Sequence, residues 1–509
     1  MRSLSVLIVT VIATRAEAQT NPTAPSDVRL IAALDEFIPR ALRWDGAPGI
    51  TVAVGRGGRL IYERGFGWAD LARKIPMRAG TVTRAGSMSK PYTGTAIMQL
   101  VDREVLDLDQ PVSRYIREFP VTNPLGDRAI TVRDLMTHVS GLSEFDARYA
   151  ELSQTEAIGE YLKAVFTRSD DKGPDGKYVR WLGKVGERSS YSNIGITLLG
   201  YLVAVTNPER LPFPDYVRRY IQEPLGMRVS HFPVDQNEPA QPADLSTGYA
   251  AIGDLLLPAP RLWTPVQPAG TLYATAAEHL RLVQAFLGGG SYGGKTILSQ
   301  AGATAMISPT VSFGSGGGHV GLVWMLSDED QPYASFHHAG AYMYGWTNAG
   351  VGFPRYDVGV VATVNRWPMQ SYGTGARAEQ LVADFIGRWL AFEDGNPAVR
   401  FPVRSWAWKR SYLIGLVMAH AYHGQLQART RLTEARLTAM SRAVPRAGGS
   451  LVGRWDAAGF RAGYQDLAPI ATDQAAIKTL LGSRSLKVHP AELDLLFADI
   501  GGRGGLPAP

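Results

Sequence analysis

The chain of 509 residues has no cysteine. That excludes disulfides, thiolate catalysis, cysteine-held metals and lipoprotein acylation at a cysteine. Charge of one sign is scarce too. The 52 Lys and Arg against 46 Asp and Glu leave a net +6, and they form no dense basic stripe of the kind a nucleic-acid partner needs. No apolar run is long enough for a mature membrane span: Leu4 to Ala13 is short, and Tyr412 to Ala421 is flanked by Lys409, Arg410 and His420. No histidine pair has ligand spacing on one helix face, so neither a metal nor a cofactor is expected.

What the chain does have is bulk. At 45% hydrophobic residues it can bury a large core and is expected to form two or more domains. Arg2, the apolar Leu4 to Ala13 and the small-x-small Ala16-Glu17-Ala18 read as a secretory signal over residues 1–18. A plain apolar helix is the alternative. Cleavage after Ala18 implies a periplasmic or secreted protein.

Asp27 to Leu42 carries Leu30, Ile31, Leu34, Phe37 and Ile38 on one helical face. Pro48 to Val54 and Arg59 to Gly67 flank Gly55-Arg56-Gly57-Gly58 and predict a β-hairpin. A helix closed by a turn is expected over Ile130 to Leu142, and its His138 is read as a structural histidine at a helix end. Glu144 to Leu257 reads as helical and loop-rich. Strand-like runs return at Val320 to Leu326, Ala334 to His338, Trp346 to Phe353 and Val358 to Val364, followed by a helix from Ala376 to Phe392. Strands at both ends with helices between predict one α/β domain over residues 19–395, its sheet joining distant segments around a helical insertion. Past the linker at Asp394-Gly395-Asn396-Pro397, residues 396–509 read as a C-terminal helical module with no motif that carries chemistry.

The chemistry concentrates at Ser87-Met88-Ser89-Lys90-Pro91. Ile97, Leu100, Val101 and Val105 give the next segment a buried helical face, and Pro91 suits its first turn. Ser87 and Lys90 then lie one turn apart, where a lysine of lowered pKa can take the hydroxyl proton. Ser169-Asp170-Asp171-Lys172 repeats the spacing in a polar run without an apolar face and reads as a loop. Gly289 to Thr296 matches both a P-loop and a Gly-x-Ser-x-Gly elbow. Each of those needs a strand before and a helix after, whereas here a helix precedes, so it reads as a surface loop.

Ser87-x-x-Lys90, Tyr191-Ser192-Asn193 and His338-Ala339-Gly340 stand in an order that resembles the serine β-lactamase and penicillin-binding enzyme superfamily, in its class C-like branch. Pro48-Gly49-Ile50, Met136 to Leu142, Pro224-Leu225-Gly226-Met227 and Pro268-Ala269-Gly270 resemble its framework, from about Val28 to Trp389. The resemblance implies an antiparallel sheet flanked by helices. It implies Ser87 as nucleophile, Lys90 and Tyr191 sharing the base role, and Asn193 bonded to Lys90 and substrate. It also implies His338 bonding toward Tyr191, Gly340 leaving room for substrate, and the amides of Ser87 and Ala341 as oxyanion hole. His338 stands where class C lactamases have lysine. A mostly neutral imidazole presents no fixed cation to a substrate carboxylate, which favours esters or peptide-like amides over β-lactams. Carboxylesterase activity is the leading expectation, with D-amino-acid amidase or peptidase, or β-lactamase, as alternatives. A non-catalytic penicillin-binding or scaffold protein is the alternative from another class.

Overall fold

The computed structural model describes residues 25–145, 157–167, 179–233, 244–252, 255–259, 266–313, 318–327, 333–342, 345–368 and 377–395. The expected signal, Ser169-Asp170-Asp171-Lys172 and the C-terminal module lie outside them.

The chain opens with α1 (Pro25–Asp45), β1 (Gly49–Arg56) and β2 (Arg59–Asp70). Gly57 and Gly58 both take positive φ, 58° and 70°, which the tight β1–β2 turn requires. Then come β3 (Ile75–Pro76), β4 (Thr83–Arg84), a 3-10 turn at Gly86–Ser89 and α2 (Lys90–Asp102). The helical region holds α3 (Val132–Met136), α4 (Ile158–Thr167), α5 (Asn193–Thr206) and α6 (Phe213–Val217). It is followed by β5 (Tyr249–Ile252), β6 (Leu255–Pro258), α7 (Gln267–Gly270), β7 (Tyr273–Ala274) and α8 (Ala276–Leu287). The return to the sheet runs through β8 (Ser291–Tyr292), β9 (Lys295–Thr296), α9 (Gln300–Met306), β10 (Val311–Phe313), β11 (Gly318–Val320) and β12 (Met325–Leu326). It ends with β13 (Phe336–Tyr342), β14 (Trp346–Phe353), β15 (Val358–Val364), β16 (Arg366–Pro368) and α10 (Ala378–Glu393).

The nine strands of the main sheet run in the order β10-β11-β12-β13-β14-β15-β1-β2-β3, antiparallel at each pairing. Thus β1, near the start, lies between its hairpin partner β2 and β15, some 300 residues later. The period of two decides what each face buries. Ile50, Val52 and Val54 of β1, with Val358, Val360 and Ala362 of β15, pack under α1 and α10 against Leu34, Phe37, Ile38, Phe385 and Ile386. Ala53 and Val361 turn to the opposite face and join the core built on α2, α5 and α8. Among the described residues no helix is long and apolar enough to cross a membrane.

Several expectations change in detail. The run Ile130 to Leu142 is helical only at Val132–Met136, capped by reciprocal Thr131 and Asp134 bonds. His138 then takes φ +58°, which no helix continues. The region read as helical and loop-rich also contains β5 and β6, with β5 paired between β6 and β16. Gly289 to Thr296, read as a surface loop, follows α8 as a glycine turn and the β8–β9 hairpin, turning on Gly293 and Gly294 at φ 58° and 75°. The strand placed at Ala334 to His338 runs instead from Phe336 to Tyr342.

Behind β14 lies a buried ionic cluster. Arg366 is 3.3 Å from Asp45, and the Arg377 guanidinium is 2.9 Å from the wholly buried Glu379, off the line a good hydrogen bond needs. Burial raises Asp45 to about 6, against the lowering effect of Arg366 and Arg377, and Glu379 to about 7, against that of Arg377. A carboxyl whose folded pKa lies above its unfolded value favours folding most while protonated, below the unfolded value. That contribution is lost as pH rises through the folded value. Stability is therefore expected to fall between pH 4.5 and 7, with Glu379 contributing up to about 3 kcal/mol. Thermal unfolding of the unmodified protein and of Glu379→Gln at pH 5 and pH 8 checks this. The variant should have the flatter pH dependence, and equal slopes would exclude Glu379 as the source.

Candidate active site

The serine turn is pinned by contacts only small residues allow. Gly86 takes φ +55°, and a Cβ there would come within 2.4 Å of the Ala341 carbonyl oxygen. From the other side, a Cβ on Gly340 would lie 2.0 Å from the Ala85 carbonyl oxygen. So β13 lies directly against the turn. The space at Gly340 is taken by the chain's own backbone, a correction to the expectation that it makes room for substrate. The same approach brings the Ala341 amide beside the turn, with its N atom 2.6 Å from the would-be Gly86 Cβ. Ser89 ties the turn from within: its hydroxyl donates to the Gly86 carbonyl at 2.7 Å and accepts the Leu272 N–H at 3.1 Å.

Ser87 is half-buried and Lys90, the first residue of α2, is wholly buried. Lys90 Nζ lies 2.8 Å from Ser87 Oγ and 2.7 Å from the Ala269 carbonyl oxygen. These two contacts suit a neutral amine, whose lone pair accepts the serine O–H while one N–H donates to Ala269. Burial drives the Lys90 ammonium well below the ordinary lysine range, and the Glu144 carboxylate opposes that shift. The one-turn α7 presents Ala269, and Thr93 of α2 fastens it by donating to the Pro268 carbonyl at 2.7 Å.

Tyr191 closes the other side. Its ring centroid is 4.7 Å from Lys90 Nζ and 4.7 Å from the His138 ring. His138 holds the turn on both sides of Tyr191: its carbonyl accepts the Ser190 N–H at 2.6 Å and its Nδ1 accepts the Ser192 N–H at 3.2 Å. Burial lowers His138 to about 3, so the imidazole stays an acceptor. Ser192 caps α5 through the Gly195 N–H, which places Asn193 at the first helical position, 8% exposed. Among the described residues no hydrogen bond joins the Asn193 side chain to Lys90. The Ala269 carbonyl fills that place, a correction to the expected Asn193 contact.

His338 is 3% exposed, with its ring centroid 6.3 Å from that of Tyr191. The expected bond toward Tyr191 is not formed: His338 Nδ1 donates to the Ala339 carbonyl at 2.6 Å. This leaves Nε2 as the unprotonated nitrogen, and it has no partner among the described residues. Burial and Lys90 hold His338 well below the ordinary imidazole range. The constellation thus joins a serine, a buried amine, a tyrosine ring and a neutral histidine beside two closely packed amides. A cleft of about 490 Å³ lined by Glu104, Asp107, Asp109, Arg114 and Arg133 lies at the opposite end of α2, away from these groups.

The sequence profile described as Beta-lactamase matches residues 34–384. The chain belongs to the β-lactamase family of serine hydrolases. The mouse mitochondrial serine beta-lactamase-like protein LACTB is 33% identical over 137 residues, 27% of this chain and 25% of that protein. Esterase EstB from Burkholderia gladioli is 38% identical over 128 residues, 25% of this chain and 33% of that protein. These matches span a quarter to a third of the curated relatives. The octameric penicillin-binding protein homologue from Pyrococcus abyssi has the same fold, with TM-score 0.59 and 23% identity over 72% of this chain and 77% of that one. The β-lactamase-type architecture is therefore that of this chain.

Proposed function

We propose that this β-lactamase-family protein hydrolyses small carboxylic esters through an acyl-Ser87 intermediate. The observation that carries the reading is the wholly buried Lys90 amine 2.8 Å from Ser87 Oγ. Desolvation favours the neutral amine, which takes the Ser87 proton as Oγ forms its bond to the ester carbonyl carbon. The amides of Ser87 and Ala341 stabilise the resulting oxyanion. Collapse breaks the bond to the alkoxide, which recovers the proton from Lys90. Water then attacks the acyl group by the same route and restores Ser87. Tyr191, stacked beside Lys90, shares the proton transfer.

The ester preference rests on His338. A β-lactam brings a carboxylate that gains most from a fixed cation, and a buried neutral imidazole offers none. The checking measurement is kcat/KM for 4-nitrophenyl acetate and for nitrocefin. The ester is expected to lead by at least about tenfold, the effect of roughly one missing charged contact. His338→Lys is expected to narrow the gap by raising nitrocefin turnover. A clear preference for nitrocefin in the unmodified protein would overturn the ester assignment.

A further inference from the structure

The peptide unit that leads into the serine turn is held at both ends, and one hold comes from a side chain that the acyl-transfer steps leave unused. The Ala85 N–H donates to the Leu272 carbonyl at 2.8 Å. The carbonyl of the same unit, that of Arg84, accepts from Asn348 Nδ2 at 2.9 Å. A planar peptide bonded through both its N–H and its C=O cannot rotate without losing one bond. Ser87 follows that plane across the single residue Gly86.

Asn348 is wholly buried on β14. Its register partners are Gly340 of β13 on one side and Thr363 of β15 on the other, and paired residues share a face. Thr363 in turn bonds Thr51 of β1, hydroxyl to hydroxyl, at 2.6 Å, so this row across four strands is polar apart from its glycine. The missing side chain at Gly340 leaves the Asn348 amide room to reach the turn, as it lets the Ala85 carbonyl lie against β13. Asn348 Oδ1 has no partner among the described residues. A buried amide oxygen without a partner costs free energy, so a residue kept only to fill this place would be better apolar. What the asparagine supplies is an N–H aimed from β14 at the turn.

Arg84 is also tied through its side chain. The guanidinium carbon lies 3.8 Å from the ring centroid of Tyr342, the residue after Ala341, and 4.9 Å from that of Tyr273. Arg84 thus joins the start of the turn to β14 through its carbonyl and to the end of β13 through its guanidinium. Both ties bear on how the Ser87 and Ala341 amides face each other.

We propose that Asn348 is a positioning residue for the oxyanion hole: by holding the Arg84 carbonyl it sets the turn so that the amides of Ser87 and Ala341 converge on one point. This rests on the acyl-Ser87 reading and adds no contact to the substrate.

The test measures kcat and KM for 4-nitrophenyl acetate, and Ki for phenylboronic acid. The proteins are the unmodified chain, Asn348→Leu, Asn348→Asp, Asn348→Gln and Thr363→Val. Fluorophosphonate titration counts the active sites, and rates are taken per active site. Both half-reactions pass through an oxyanion, so misplaced donors slow both. Asn348→Leu removes the N–H and fills similar space. A misplacement of about 1 Å can cost about 10²-fold, so this variant is expected to lower kcat per site by about 10- to 100-fold with little change in KM. Phenylboronic acid takes the Ser87 oxygen onto boron and mimics the tetrahedral state, so its Ki should rise by a similar factor. Asn348→Gln keeps an amide N–H and should regain part of both. Thr363→Val breaks the neighbouring bond of the same row without touching the turn, and should stay near the unmodified values. A merely structural asparagine would lower the number of active sites while kcat per site and Ki stay unchanged, and that result overturns the proposal. An equal loss in Thr363→Val overturns it too. Asn348→Asp, close in shape, stands in if Asn348→Leu does not fold; if neither folds, Asn348 is structural and the proposal falls. Failure to label Ser87 in the unmodified protein overturns the acyl-serine reading and this proposal with it, whereas labelling with unchanged kcat per site in Asn348→Leu overturns this proposal alone.

Discussion

Ser87→Ala is expected to lower kcat by a factor on the order of 10⁴–10⁶ and to abolish fluorophosphonate labelling, the largest effect of any single change in this protein. The reason is that no neighbouring hydroxyl can substitute. Ser89, two residues on, is wholly buried and spends its hydroxyl on the Gly86 carbonyl and the Leu272 amide. Ser291, which sits in the Gly-x-Ser-x-Gly pattern, pairs with Thr296 at 2.9 Å across the β8–β9 hairpin, without a base. Among the described residues Ser87 Oγ is the only hydroxyl hydrogen-bonded to the buried Lys90 amine, whose other partner is the Ala269 carbonyl. Peptide mapping of the labelled protein decides the matter. A modified Ser291, or label that survives in Ser87→Ala, would overturn the assignment. The fold is expected to persist, because Ser87 Oγ contacts Lys90 rather than holding the backbone of the turn.

The parts of this site that were legible in the sequence are those that local chemistry writes down. The apolar spacing behind Lys90 gave the serine helix. The strand at His338 was placed short for a physical reason. Ala339-Gly340-Ala341 has little intrinsic strand preference, and is extended because it pairs residue by residue with the buried β14. The β5 and β6 strands were missed for a similar reason, since β5 depends on parallel pairing with β16, more than a hundred residues away. The hairpin at Tyr292-Gly293-Gly294-Lys295 did have a local signal, two adjacent glycines between short runs, and reading it as a loop undervalued that signal. The Ala269 contact to Lys90 had none: a carbonyl oxygen is common to every residue, and only tertiary packing selects this one. The role of Gly340 was misplaced because a missing side chain does not say which neighbour needs the room.

Lys90→Met should separate the base from the scaffold. Methionine is close to lysine in length and fills a wholly buried site without a charge, so α2 and its packing are expected to survive. Activity should not: loss of general-base help typically costs ~10²–10⁴ in rate, and Tyr191→Phe is expected to fall in the same range if the phenol shares the proton. The pH profile makes the assignment specific. Burial places the folded pKa of Lys90 well below the ordinary lysine value of 10.5, and turnover needs the neutral amine. Turnover of the unmodified enzyme should therefore rise as pH passes upward through that lowered value and then level off. In Lys90→Met the residual turnover should lack this limb. Stability should move the opposite way to activity. A lysine whose folded pKa is lowered binds its proton less tightly folded than unfolded, so stability is lost as pH falls from about 10.5 toward the folded pKa. Removing it is expected to raise the unfolding temperature at neutral pH by more than at pH 10, as measured by thermal scans of both proteins. A variant that keeps near-normal turnover with its acid limb in place would show that another group takes the Ser87 proton.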